Sequence, residues 1–157
     1  MQLKVIRSGG QTGADEAGLI AARKANIPTG GWIPKGFLTE NGPNPSLSKY
    51  GLAETNSSSY VPRTYANVKD SDGTIRFATD FTSRGEIVTL DGITKYKKPY
   101  IDVDMNNPRP FGDVAAWIRN NKIETLNVAG NRESVAPGLE AFVVEYLGKV
   151  IETLNNM

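Results

Sequence analysis

The 157-residue sequence contains neither histidine nor cysteine. The absence of cysteine excludes disulfide bonds, thiolate metal sites and a cysteine nucleophile, and it is compatible with a reducing compartment. The absence of histidine excludes Ser-His-Asp triads, histidine-ligated zinc and imidazole acid–base catalysis. Any chemistry that the chain performs must therefore use carboxylates, lysine, tyrosine or a metal site made of carboxylates alone.

The sequence also lacks an excess of charge of either sign and any long apolar run. Its 18 lysine and arginine residues nearly balance 17 aspartate and glutamate residues, whereas nucleic-acid binding usually leaves a basic footprint. The amino terminus shows no signal-peptide apolar region, and no stretch approaches the ~18 apolar residues typical of a membrane-spanning helix. We therefore expect a cytoplasmic protein with neither a membrane nor a nucleic acid as partner, forming a single domain over residues 1–157.

Strand-like and helix-like segments alternate along the chain. Short segments with β-branched residues predict strands at 3–7, 29–36, 74–78, 99–104 and 125–129. Helical periodicity of the apolar residues predicts helices at 14–25, 86–96, 113–121 and 139–154. This alternation predicts an α/β fold, namely a Rossmann-like three-layer α/β/α sandwich with a mostly parallel sheet and right-handed crossovers. Ligands of such folds bind at the carboxyl ends of the strands.

Residues 37–62 interrupt the alternation. This segment is rich in glycine, proline, asparagine and serine and has little hydrophobic periodicity, so it is predicted to be a long loop, followed by a short helical turn at 65–70. Loops longer than ~15 residues are uncommon in compact domains and are usually functional lids, binding loops or disordered insertions. The 37–62 loop is therefore a candidate cover for a ligand.

The strand-to-helix turn at residues 8–15, with the sequence SGGQTGAD, is the first candidate binding element. Gly9, Gly10 and Gly13 allow a ligand to approach the backbone closely, and the amides at the start of the following helix favour an anion. The spacing matches neither the dinucleotide-binding fingerprint nor the Walker A pattern. A phosphate-binding turn and a purely structural tight turn are both compatible with it.

Two further turns are expected at the same edge of the sheet. Gly130 follows the strand at 125–129, and the nearby Arg132 is placed to hold a phosphate by a bidentate contact or to remain solvated. Residues 82–86 open the helix after the third strand and offer hydroxyls, amides and an arginine. Glu86 is the carboxylate at this rim; it is either a general acid or base or a group that complements the helix dipole.

Four motifs span nearly the whole chain in the order SGGQTGAD, GGWIPKG, RTYANVKDSDGT and NVAGNRES. Together they resemble the molybdenum cofactor carrier family. This family is a branch of a Rossmann-like superfamily that also contains the LOG-type nucleotide phosphoribohydrolases and DNA-processing protein A. The resemblance implies a homo-oligomeric carrier or storage protein that binds molybdenum cofactor, with the phosphate of the cofactor on the glycine-rich turns and with no tightly held metal of its own.

The resemblance also implies which residues contact the ligand. The matching positions are Gly9, Gly10, Gln11, Thr12, Gly13, Arg63, Asn67, Gly130, Arg132 and Glu133. The turn that opens the helix after the third strand provides three further predicted contacts, Ser83, Arg84 and Gly85. The family usually has Thr-Gly-Gly-Thr there, so the bulky Arg84 is expected to reshape the anion site.

Two alternative functions share the same predicted binding turns. One is a nucleotide-binding sensor without turnover. The other is a LOG-like phosphoribohydrolase that cleaves the N-glycosidic bond of a nucleoside monophosphate, with Glu86 or Glu133 as the acid–base group. LOG-type enzymes carry a PGGxGTxxE turn that is missing here. A phosphate-binding carrier is therefore favoured over an enzyme.

Overall fold

The computed structural model describes residues 2–157 and contains one six-stranded sheet and a separate two-stranded hairpin. The strands are β1 (Val5–Arg7), β2 (Thr29–Ile33), β3 (Leu38–Thr39), β4 (Gly42–Pro43), β5 (Leu52–Glu54), β6 (Gly73–Ala78), β7 (Tyr100–Asp104) and β8 (Thr125–Gly130). The α-helices are α1 (Ala14–Lys24), α2 (Tyr60–Lys69), α3 (Arg84–Tyr96), α4 (Phe111–Asn120) and α5 (Leu139–Asn155). None of the described helices is both long enough and apolar enough to cross a membrane.

The large sheet has the strand order β5-β2-β1-β8-β6-β7, and every pairing in it is parallel. Helices α1, α4 and α5 pack together on one face of the sheet, whereas α2 and α3 pack against each other on the opposite face. This arrangement confirms the predicted Rossmann-like three-layer fold. It also places the turns that follow β1, β8 and β6 next to one another at the carboxyl edge.

The main core lies between the sheet and the α1, α4 and α5 layer. Ile6, Phe77 and Leu147 are fully buried there, and burial of such side chains stabilises the fold by roughly 1.5–3 kcal/mol each. Helix α1 reaches the sheet closely because its inner face consists of small residues. A side chain at Gly18 would lie 2.7 Å from the Cβ atom of Val128.

The segment predicted as a long loop at 37–62 is ordered structure, which corrects the sequence interpretation. It contains the β3–β4 hairpin, a 3₁₀ helix at Pro45–Tyr50 and the edge strand β5, and α2 begins at Tyr60. Ser59 caps α2 through its side chain, which accepts a hydrogen bond from the Val61 amide. The short helical turn expected at 65–70 is therefore the second half of a complete helix.

The apolar residues of this segment form a second, smaller core. Leu47, Tyr50 and Leu52 are buried together with Leu19 of α1 and Ile33 of β2. They are spaced singly among polar residues, so neither a helical nor a strand period is visible in the sequence. Packing against α1 and pairing of β5 with β2 fix the structure of this segment instead.

Candidate functional site

A cavity of about 190 Å³ lies at the carboxyl edge of the sheet. Its walls come from the β1–α1 turn, α2, the first turns of α3, and β8 with the turn that follows it. The sequence-predicted residues in its lining are Gly9, Gln11, Arg63, Asn67, Ser83, Arg84, Gly85, Glu86, Gly130 and Arg132. The structure thus brings together most of the predicted set, whereas Gly10, Thr12, Gly13 and Glu133 lie outside the lining.

Several amides of the β1–α1 turn are bound by groups of the protein. The Gln11 amide donates to Asp15 Oδ2 at 3.2 Å, and the Thr12 amide donates to the Gln11 side-chain oxygen at 3.0 Å. The Ala14 amide, at the start of α1, donates to the Asn131 carbonyl oxygen at 3.1 Å. These internal acceptors occupy donors that the sequence assigned to a phosphate.

Asp15 is a buried carboxylate that the sequence analysis did not single out. It lies 3.8 Å from Arg63 Nη2 of α2. Burial raises the pKa of Asp15, and the positive charge of Arg63 opposes this rise. A Cβ atom at Gly9 would lie 2.7 Å from Arg63 Nε and 2.8 Å from Asp15 Oδ2. Gly9 therefore leaves the space in which this ion pair forms.

The turn between β8 and α5 is also bound internally. The Glu133 carboxylate accepts the Gly138 amide at 2.7 Å and the Glu140 amide at 2.9 Å, so it caps the start of α5. Gly13 has φ of 75° and packs directly onto this turn, where a side chain would overlap the Asn131 carbonyl oxygen. Glu133 therefore stabilises the start of α5, and Gly13 allows the two turns to pack against each other.

Glu40, at the tip of the β3–β4 hairpin, connects the two turns. Its carboxylate accepts the hydroxyls of Thr12 and Ser134 and the Ser134 amide, the last at 3.3 Å. Arg132 Nε lies 3.8 Å away. Burial alone would raise the pKa of Glu40, but the hydrogen bonds from Ser134 and Thr12 and the charge of Arg132 outweigh it and lower the pKa. The β3–β4 hairpin is therefore attached to both turns.

The turn between β6 and α3 has three consecutive amides without an acceptor. Ser83 is the N-cap of α3 and makes no side-chain capping bond. The amides of Arg84, Gly85 and Glu86 have no acceptor within residues 2–157, and all three residues line the cavity. Free amides at the positive end of a helix dipole form a site for an anion.

Asn131 holds this open turn in place. Its Oδ1 accepts the amides of Thr79 and Asp80 at 3.0 and 3.2 Å, and its Nδ2 donates to the Asp80 carbonyl oxygen at 3.0 Å and to Ser83 Oγ at 3.3 Å. The side chain is almost fully buried. Asn131 lies within the last of the four motifs, but its role is not visible in the sequence because its partners lie about 50 residues away.

Glu86 lies on the wall of the cavity rather than at an exposed rim. It is 2% exposed, and its Oε1 has no hydrogen-bond partner within the described part of the chain. Burial raises its pKa to about 8; Arg76 opposes this rise, whereas Asp15 and Asp102 add to it. The raised pKa favours a neutral acid at pH 7 over an ionised group that complements the α3 dipole.

Asn67 lines the cavity, but its amide group is used elsewhere. The Trp32 amide donates to Asn67 Oδ1 at 2.8 Å, and Asn67 Nδ2 donates to the Trp32 carbonyl oxygen at 3.0 Å. Asn67 thus pairs with the backbone of β2 as a neighbouring strand would. It anchors α2, which carries Arg63, against the sheet.

Together the fold and the cavity define a class: a Rossmann-like α/β protein with a pocket at the carboxyl ends of parallel strands. A family model described as "Circularly permutated YpsA SLOG family" matches residues 6–151. The chain belongs to this family, which confirms the relationship to Rossmann-like proteins inferred from the four motifs.

A solved structure agrees with this assignment. The chain is similar to a crystal structure from Syntrophus aciditrophicus described as a "putative molybdenum carrier protein", with 37% sequence identity and a TM-score of 0.86. The similarity covers 98% of this chain and 95% of that one. No curated protein matches the sequence.

Proposed function

We propose that this protein is a molybdenum cofactor carrier that binds the phosphate of the cofactor at the start of α3. The observation that carries the proposal is the row of free amides at Arg84, Gly85 and Glu86, which line the cavity. In the β1–α1 turn, by contrast, the amides of Gln11 and Thr12 are already bound by protein groups. Similarity to a structure described as a molybdenum carrier supports the choice of ligand.

The rest of the cavity fits a ligand with an anionic end and a flat ring. Arg84 is exposed beside the free amides, and Arg63 Nε is buried without a partner among residues 2–157. The apolar part of the cavity wall includes the side chains of Val88, Val128 and Val135. Guanidinium groups bind phosphate well, and apolar walls with few polar groups are typical of ligand pockets.

A pair of substitutions at Gly85 tests the phosphate site. Gly85→Pro removes one of the free amides, and proline is tolerated in the first turn of a helix. Gly85→Ala keeps the amide, and its Cβ atom would meet nothing within 4 Å. A hydrogen bond to a charged group contributes about 1.5–3 kcal/mol, so Gly85→Pro should weaken binding of isolated molybdenum cofactor about tenfold or more.

The measurement is an anaerobic binding titration that follows the pterin fluorescence. Wild-type protein and Gly85→Ala should show the same saturable binding. Absence of saturable binding by the wild type would refute the carrier function, and equal affinities of Gly85→Pro and Gly85→Ala would refute the position of the phosphate.

One observation favours a second candidate function, the hydrolysis of a nucleoside monophosphate. A neutral carboxylic acid at Glu86 beside an anion site is the arrangement that a general acid requires for cleavage of an N-glycosidic bond. Release of ribose 5-phosphate from nucleoside monophosphates, abolished by Glu86→Gln, would establish this activity. Ligand-dependent stabilisation without product would favour a carrier or sensor instead.

A further inference from the structure

Glu86 is an unsatisfied polar group in the wall of the cavity, where two polar side chains, Thr89 and Asn127, already have partners. The Thr89 hydroxyl donates to the Gly85 carbonyl oxygen at 2.9 Å, and Asn127 Nδ2 donates to Thr74 Oγ1 at 3.2 Å. Glu86 Oε1, by contrast, has no partner within residues 2–157. A buried polar atom without a partner is unfavourable, so a ligand that supplies one gains affinity.

The cations nearest to Glu86 are engaged with other acceptors. Arg76 of β6 donates to both oxygens of Asp102 of β7, at 2.8 and 2.7 Å, and to the backbone carbonyl of Glu86 at 3.1 Å. Arg63 of α2 faces Asp15 of α1. The carboxyl group of Glu86 thus has cations and carboxylates around it but no ion-pair partner of its own. Its raised pKa of about 8 agrees with this environment.

A neutral carboxyl group presents an O–H donor and a carbonyl acceptor side by side. Its complement is an edge with an adjacent acceptor and donor, as in the lactam or amidine edge of a nitrogen heterocycle. A sugar or a bare phosphate lacks this planar pair. The apolar side chains of Val88 and Val128 also line this cavity and suit the faces of a ring.

We infer that Glu86 is a specificity-determining residue that pairs with the lactam or amidine edge of the ligand's heterocycle, such as that of a pterin. This inference rests on the proposed function, because it requires that the phosphate of the same ligand is held at the start of α3. Glu86 then selects the ring, and the α3 amides hold the charged end.

Two variants of similar size separate this role from a structural one. Glu86→Gln keeps a donor beside an acceptor and cannot ionise, whereas Glu86→Leu removes both. The probes are a pterin that carries a monophosphate and ribose 5-phosphate, which has the phosphate without the ring. Binding is measured by calorimetry together with the thermal stability of each variant.

We expect Glu86→Gln to bind the pterin phosphate within about threefold of the wild type and Glu86→Leu to bind it about tenfold more weakly. Ribose 5-phosphate should bind all three proteins equally. Wild-type affinity for the pterin phosphate should fall more steeply as the pH rises through 8 than that of Glu86→Gln, because only the wild type loses its donor. Ionisation of the probe affects both proteins alike.

Equal affinity of the wild type and Glu86→Leu for the pterin phosphate would overturn the inference while leaving the proposed function intact. Equal losses in Glu86→Gln and Glu86→Leu would overturn it as well. Binding of neither probe by the wild type would refute the proposed function and this inference together.

Discussion

At the scale of single residues, several side chains have roles that their type alone does not reveal. Glu86 looks like a helix-start carboxylate in the sequence, yet it is buried with a pKa of about 8. Glu133 looks like a site residue, yet it caps α5. Gly130 suggests a phosphate-binding loop, but a side chain there would overlap the Phe77 carbonyl oxygen of the neighbouring strand. Packing of the protein on itself explains part of the glycine pattern.

The pKa of Glu86 predicts how stability depends on pH. The ordinary value is 4.5 and the value in the folded protein is about 8, so the folded state holds this proton more tightly than the unfolded state. Burial of Glu86 therefore destabilises the protein increasingly between pH 4.5 and 8. Glu86→Gln should raise the melting temperature above pH 8 and have little effect below pH 4.5, as measured by circular dichroism.

Glu145→Gln on the exposed side of α5 is the control and should change little at any pH. A Glu86→Gln protein that is less stable than the wild type above pH 8 would contradict the burial of an unpaired acid at this position.

Two glycines differ in what a side chain would meet. Gly130→Ala should destabilise the protein by roughly 3 kcal/mol or more, because the added carbon collides with backbone. Gly148→Ala lies within α5 with nothing within 4 Å of its Cβ atom and should stabilise the helix by about 0.5–1 kcal/mol. Urea denaturation of both variants checks this prediction, and similar values for the two would disprove it.

At the scale of elements, local periodicity predicted the regular parts of the fold well. Helix α5 was visible from its apolar stripe, and β6 and β8 were visible from short β-branched runs that end in turns. Strand β5 was not predicted, because it has three residues and its one buried side chain, Leu52, belongs to the second core. Packing against residues that are distant in the sequence therefore determines where β5 forms.

The location of the candidate site was predictable from the sequence, but its detailed hydrogen bonding was not. The turns that line the cavity follow from the alternation of strands and helices. Which amides are free does not, because that depends partly on Glu40 and Asn131, whose side chains bind residues of other turns. A single sequence contains no local signal for these pairings.

The hairpin that carries Glu40 should depend on the charge of that residue. The pKa of Glu40 is lowered in the folded protein, so its contribution to stability is present above its ordinary pKa and is lost as the pH falls through the folded value. Glu40→Gln should cost about 1–2 kcal/mol at neutral pH and little in acid. Hydrogen exchange should then become faster in β3 and β4 than in β6. Unchanged exchange in the hairpin would show that Glu40 does not hold it.

At the scale of the whole molecule, the sheet brings three turns together, and one of them has three consecutive free amides. The β1–α1 and β8–α5 turns are joined to each other through Glu40 and Gly13, while Asn131 positions the β6–α3 turn beside them. The cavity between them has free amides at the start of α3 and an unpaired acid in its wall. The proposed binding of a charged end and a ring relies on these two features.

The most direct test of this account is an amide-resolved NMR titration of the protein with molybdenum cofactor under anaerobic conditions. We predict that saturable shifts are largest at the amides of Arg84, Gly85 and Glu86, because the proposed function places the phosphate at these free amides. Largest shifts at Gly10–Gly13 instead, with loss of the hydrogen bond between Gln11 and Asp15, would contradict the account and place the phosphate in the first glycine-rich turn.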